Sequence, residues 1–212
     1  MFKINHIVVV LLCCVAIQLG HANTIITNPG PGLPTTPIGN TTAGFDFTVG
    51  SMSLMVTALG MWDQSQNGFT NAHTVGLWDI SGNLLAQASL SPGTANPLIG
   101  DFRYVTLATP ITLTAGMSYV LGATYVNADL DRVIVNVSGN QATFDPAITP
   151  GDFRQNVGLT GLLFPSSNIQ TGSVVGPNAV FSPVPEGGPG LVCVALTLVA
   201  LILVRRRMAP TP

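Results

Sequence analysis

His73 is the only histidine between Asn23 and Pro183, a stretch that holds three Arg and eight Asp but no Lys and no Glu. That inventory narrows the chemistry. A serine hydrolase would have to combine His73 with a serine and one of the aspartates, yet no Gly-x-Ser-x-Gly elbow marks a nucleophile. The plain alternative is a histidine hydrogen-bonded at the start of a strand. A glycosidase would need two Asp at the separation its stereochemistry demands. Asp63, Asp79, Asp101, Asp129, Asp131, Asp145 and Asp152 offer many pairs and single out none. Asp suits turns because it bonds nearby backbone, and that is the expected use of most of them. In Asn127-Ala128-Asp129-Leu130-Asp131, alternate residues can aim an amide (Asn127) and two carboxylates (Asp129, Asp131) at one hard cation such as calcium. The twelve-residue calcium-loop pattern is absent, so a solvated turn is the competing reading. Phosphate-cradling loops and Cys/His metal spacings do not occur. No residue stands out as catalytic, and no cofactor beyond the calcium option is expected.

The elements that must position these residues are strands. Only 8% of the chain is charged while 47% is hydrophobic. Disordered chains have the opposite balance. Helices usually carry Lys and Glu on their exposed faces, and this domain has neither. Three Arg against eight Asp leave it at a formal −5, which excludes a basic footprint for nucleic acid. Alternating apolar segments separated by turn residues follow one another from Phe45: Phe45–Val49, Leu54–Trp62, Thr74–Ile80, Leu84–Leu90, Phe102–Leu107, Ile111–Leu113, Ser118–Val126 and Arg132–Val137. Ser81-Gly82-Asn83 reads as the turn of a hairpin. Pro110 falls between strands, where its missing donor does no harm. Together these predict an antiparallel two-sheet sandwich, jelly-roll-like, with its core at 44–138. Trp62, Trp78, Tyr104, Tyr119 and Tyr125 lie inside strands and read as core. Trp62 and Tyr125 are the aromatics that would serve a sugar ligand if exposed. Residues 23–43 read as a Pro/Gly-rich arm with a short edge strand at Ile25-Ile26. Residues 139–183 read as loops, one or two late strands and a spacer.

Both ends of the chain are apolar and addressed. Lys3 precedes the run Ile7–Ile17, and Gly20 and Ala22 put small residues where a signal peptidase would cut after residue 22. At the other end Val184-Pro185-Glu186-Gly187-Gly188-Pro189-Gly190 leads into the apolar Leu191–Val204, closed by Arg205, Arg206 and Arg207. Residues 208–212 form a short tail. Fourteen apolar residues are few against the ~20 that span a bilayer as a helix. The arginines would hold the far end in the cytoplasm. Cys13, Cys14 and Cys193 all lie in these apolar runs and read as fillers, so the domain has no disulfide framework.

The C-terminal segment, 184–207, resembles the PEP-CTERM sorting signal of Gram-negative bacteria. Val184, Pro185 and Glu186 match its motif, and Gly187 stands where the commonest form has a second Pro. The resemblance implies export, a transient inner-membrane intermediate with the transmembrane helix at 191–204, and processing by an exosortase. It further implies delivery to the cell surface or to extracellular polysaccharide. Phe69-x-x-x-His73-Thr74-Val75-Gly76-Leu77-Trp78 with Gly82-x-Leu84-Leu85-Ala86, and later Pro110 to Tyr119, resemble an uncharacterised secreted bacterial β-sandwich module. The leading expectation is a non-enzymatic surface or matrix protein. A carbohydrate-binding module and a secreted hydrolase are the rival expectations.

Overall fold

The computed structural model describes residues 22–30, 40–127, 129–136, 142–158 and 160–184. Gly20, the motif residues from Pro185 and the arginine cluster lie outside the described residues. Fifteen strands and no helix occur among those described. Accordingly, no helix there is long and apolar enough to cross a membrane. In chain order the strands are β1 (Asn23–Thr24), β2 (Ile26–Asn28), β3 (Thr41–Val49), β4 (Leu54–Trp62), β5 (His73–Asp79), β6 (Leu84–Leu90), β7 (Leu98–Ile99), β8 (Phe102–Leu113), β9 (Ser118–Tyr125), β10 (Ile134–Asn136), β11 (Thr143–Phe144), β12 (Ile148–Val157), β13 (Ser167–Gln170), β14 (Ser173–Val175) and β15 (Pro177–Pro183). Five of them form one sheet in the order β1-β15-β4-β8-β7, and six form a second in the order β13-β12-β3-β9-β5-β6. All pairings are antiparallel, and the two sheets make a sandwich.

Period-two alternation sets which side chains meet between the sheets. On β3, Ala43, Phe45, Phe47 and Val49 are buried while Asp46 and Thr48 are half-buried. On β5, His73, Val75 and Leu77 turn inward, and Val75 and Leu77 join the main core. Trp78 takes the outer face and makes a second, smaller layer there. Gly44, Gly122 and Gly76 stand opposite one another across β3, β9 and β5. A methyl group on Gly76 would collide with the Trp78 ring, so this glycine row is the floor on which the indole lies. Phe164 closes over it edge-on, with ring centroids 6.0 Å apart.

The strands expected from the sequence between Phe45 and Tyr125 are present, with one merger. Phe102–Leu107 and Ile111–Leu113 belong to a single strand, β8, with Pro110 inside it. The register against β4 slips between Val56 and Ala58, so β8 bulges at this point and Pro110 breaks no continuous ladder.

The stretch 139–183, expected to hold loops, one or two late strands and a spacer, is richer in strands than that among the described residues. It carries β11 to β15, and β12 and β15 occupy interior positions in the two sheets. Its alternation is hidden because β12 shifts register between Pro150 and Phe153, which flips the period midway. The short edge strand expected at Ile25-Ile26 is present as β1 and β2, both at sheet edges, yet Ile25 and Ile26 are each only 1% accessible. What draws them in is Asn178, fully buried on β15. Its Nδ2 donates to the Ile26 carbonyl and its Oδ1 accepts the Ile26 N–H, both at 2.9 Å. One side-chain amide thus replaces a rung of the ladder.

Asn178→Leu keeps the branched side-chain skeleton and removes both bonds, stranding a buried N–H and C=O. We expect a loss of about 3 kcal/mol in urea unfolding, together with proteolytic sensitivity confined to the first strands.

Candidate functional site

Strand direction places two loops side by side at one end of the sandwich. The chain leaves β4 at Trp62, crosses to β5 through residues 63–72, and leaves β9 at Tyr125 into residues 126–133. β5 lies directly against β9, so His73, at the start of one strand, faces the end of the other. Val184 lies at the opposite end, because β15 runs antiparallel to β4 with Pro183 opposite Leu54 and Pro177 opposite Met61.

His73 is 1% exposed. Its Nδ1 lies 2.7 Å from the Thr124 carbonyl and its Nε2 lies 2.9 Å from Asp131 Oδ2. A carbonyl only accepts, so Nδ1 carries a hydrogen. An ionised carboxylate also only accepts, so the Nε2 contact is a hydrogen bond when the ring is an imidazolium donating through both nitrogens. Phe69 meets the ring edge-on at 5.2 Å, and Tyr125 lies 5.6 Å from it on centroids.

Asp131 also gathers backbone donors from the other loop. Its Oδ2 accepts the N–H groups of Thr70 at 2.8 Å and Asn71 at 3.0 Å. Burial pushes this carboxyl up, but the hydrogen bonds from His73, Asn71 and Thr70 and the His73 charge outweigh it. The net result lies below the ordinary value of 3.8. Asp129, 1% exposed, folds its own loop by accepting Val126 N–H at Oδ2 and Asp131 N–H at Oδ1. Its Oδ1 takes the Asn71 amide as well, at 2.9 Å. His73, Asp129 and Asp131 each offer an atom within 4.8 Å of the other two.

The loop 63–72 is fastened at its other end by a buried ion pair. Arg103 Nε donates to Asp63 Oδ2 at 2.7 Å, and the same oxygen accepts Gly68 N–H. The remaining guanidinium nitrogens donate to the carbonyls of Thr94, Asn96 and Gln66. Gly68 has φ +94°, a conformation that glycine adopts without strain. Between the fastenings lies a cleft of about 190 Å³ lined by Trp62, Asp63, Thr70, Leu130 and Asp131 among others.

Of the three residues expected to hold calcium, Asp129 and Asp131 are brought together, and His73 rather than Asn127 joins them. Asn127 is exposed, with its backbone N–H on Asn40 Oδ1. Trp62 and Tyr125 are 5% and 2% exposed. As an open platform for sugar they are unavailable, because both belong to the core. The Tyr125 hydroxyl is buried against Gly176 without a hydrogen-bond partner. Burial, reinforced by the charges of Asp129 and Asp131, holds that phenol well above its usual range. Both His73 nitrogens are engaged, and neither reaches a serine, so the triad considered from the sequence does not form around it. Arg103 and Asn71 went unnoticed in the sequence. A buried arginine in a chain this poor in cations was the one available signal.

An antiparallel sandwich with one end laced by carboxylates defines the class. The chain belongs to the DUF4082 family, a domain of unknown function, whose pattern matches residues 34–173. The match leaves out β1, β2 and β15. No curated protein matches the chain. Two solved structures from infectious bursal disease virus, the VP2 subviral particle and the derived T=1 particle, are similar at 18% identity. Each match covers 90% of this chain and 50% or 48% of the viral one, with TM-scores of 0.26 and 0.25. The chain therefore spans about half their length, and at this level of similarity no activity is transferred.

Asp131→Asn removes a half-buried carboxylate that accepts from His73, Thr70 and Asn71 and is expected to cost about 2 kcal/mol at pH 7 by chemical denaturation. Because the folded carboxyl lies below its unfolded value of 3.8, its contribution is complete above that pH and fades as pH falls through the folded value. The gap between wild type and variant should therefore shrink on acidification from pH 5 to pH 3.

Proposed function

We propose that this chain is an exported surface protein whose β-sandwich is held briefly in the inner membrane and then released to the cell surface or an extracellular polysaccharide matrix. In this reading a signal peptidase cuts after Ala22, and Leu191–Val204 enters the bilayer as a helix stopped by Arg205, Arg206 and Arg207. An exosortase then acts at Val184-Pro185-Glu186-Gly187.

One observation carries most of the support: the strands of the folded unit lie between the two expected cut sites, with Val184 held to the sandwich by its N–H on the Ser53 carbonyl. Pairing begins at Asn23, one residue after the first cut, with Asn23 opposite Phe181 and Thr24 opposite Val180. The last strand ends at Pro183, one residue before the motif. Because β1 and β15 are antiparallel, Asn23 and Pro183 lie at the same end of the sandwich, and the laced loops and their cleft lie at the other. A charge-poor surface rich in Ser, Thr and Asn is compatible with a hydrated polysaccharide partner.

The test is the intact mass of the protein recovered from native cells. The expected species begins at Asn23 and ends near Pro185 or Glu186. Retention through Arg207 would replace processing with a permanent anchor. A cytosolic protein uncut at both ends would overturn the reading.

A further inference from the structure

We infer that His73, Asp129 and Asp131 form a binding site for a divalent transition-metal ion of the zinc or manganese kind. The site is set by charge and lone pairs, wherever the chain is delivered.

The Thr124 carbonyl 2.7 Å from Nδ1 fixes the ring hydrogen there. In a neutral ring, Nε2 is then a bare lone pair. It faces an Asp131 oxygen at 2.9 Å, and two acceptors at that distance need a cation between them. A second ring proton can fill that role, but it leaves the group short of charge. Two carboxylates and one imidazolium sum to −1, with Asp129 and His73 each 1% exposed. Among the described residues no other cation makes up the deficit within the site. Arg103 is committed to Asp63 and three carbonyls, and Arg132 is exposed. A divalent ion with a neutral His73 brings the sum to zero.

The geometry also has the outer support that metal-bound histidines use. The nitrogen away from the ion donates to a backbone carbonyl, which fixes the tautomer and aims the other nitrogen. Asp129 is oriented by Val126 and Asp131 N–H groups, and Asp131 by Thr70 and Asn71. One imidazole and two carboxylates are a mixed donor set, which suits first-row transition ions. Calcium takes about six to eight oxygens, more than this group supplies. The cleft touches the group at Asp131, which lines it beside Thr70 and Leu130.

The experiment uses the full chain in detergent with His6→Gln and His21→Gln, so that His73 is its only imidazole. After chelator treatment, zinc, manganese and calcium chlorides are titrated calorimetrically. We expect one equivalent of zinc or manganese, bound at least about tenfold more tightly than calcium. Asp129→Asn should weaken it about tenfold or more and His73→Gln should abolish it, both in chains that still unfold cooperatively. Should His73→Gln fail to fold, cobalt(II) added to the parent chain decides: paramagnetic displacement of the His73 ring protons places the ion on Nε2. The inference is overturned if the folded parent chain binds neither zinc nor manganese, if calcium binds more tightly, or if the His73 ring signals remain those of an imidazolium with the ion present.

Discussion

A β-sandwich with no helix leaves many loop N–H groups without a ladder partner, and each one buried without an acceptor is costly. This chain meets that demand with aspartate. Six of the eight aspartates between Asn23 and Pro183 accept backbone N–H groups: Asp46, Asp63, Asp79, Asp129, Asp131 and Asp145. Asp79 shows the device in its simplest form. It gathers Ser81 and Asn83 in one hairpin turn, and the hydrogen bonds from Asn83, the largest contribution, lower its carboxyl below the ordinary value. The same device, applied twice at Asp129 and Asp131, builds the laced end. Acidity in this protein thus fastens backbone in turns and loops, at the surface at Asp79 and buried at Asp129.

Arginine completes the scheme where a carboxylate would be left charged and alone. Arg103 sits on Asp63, and Arg154 on Asp46 at 2.6 Å. Removing one member of such a pair leaves an uncompensated charge, which costs far more than the pair contributes. The loop 63–72 is therefore fastened by charge at both ends, to Arg103 and to Asp131. Its middle is free to present the side chains that line the cleft.

How much of this could be read from residues alone divides at a clear physical boundary. The fold class was legible because missing Lys and Glu and period-two alternation are local properties, as in Phe45 to Val49 and His73 to Asp79. The turn role of Asp79 was legible for the same reason. The later strands were not, because the bulge at Pro150 to Phe153 inverts the pattern and Asn178 hides a backbone-like rung in a polar side chain. The site was half legible. Asp129 and Asp131 share a loop, but His73 lies 58 positions away in sequence. They meet only because β5 pairs with β9, and pairing across the sheet leaves no mark on a single chain.

The rung made by Asn178 spans 152 positions, and its strand also supplies the missing neighbour of β4. Contacts this distant in sequence make assembly slow, since the loop must be closed before the reward arrives. A chain growing from its first residue toward its last cannot complete the five-stranded sheet until residue 183 has been made. Until then Leu54–Trp62, apolar on both faces near its end, keeps one edge open, and open edges recruit other chains. The final strand acts as a latch, so a chain that stops short of it is a seed for aggregation rather than a smaller domain.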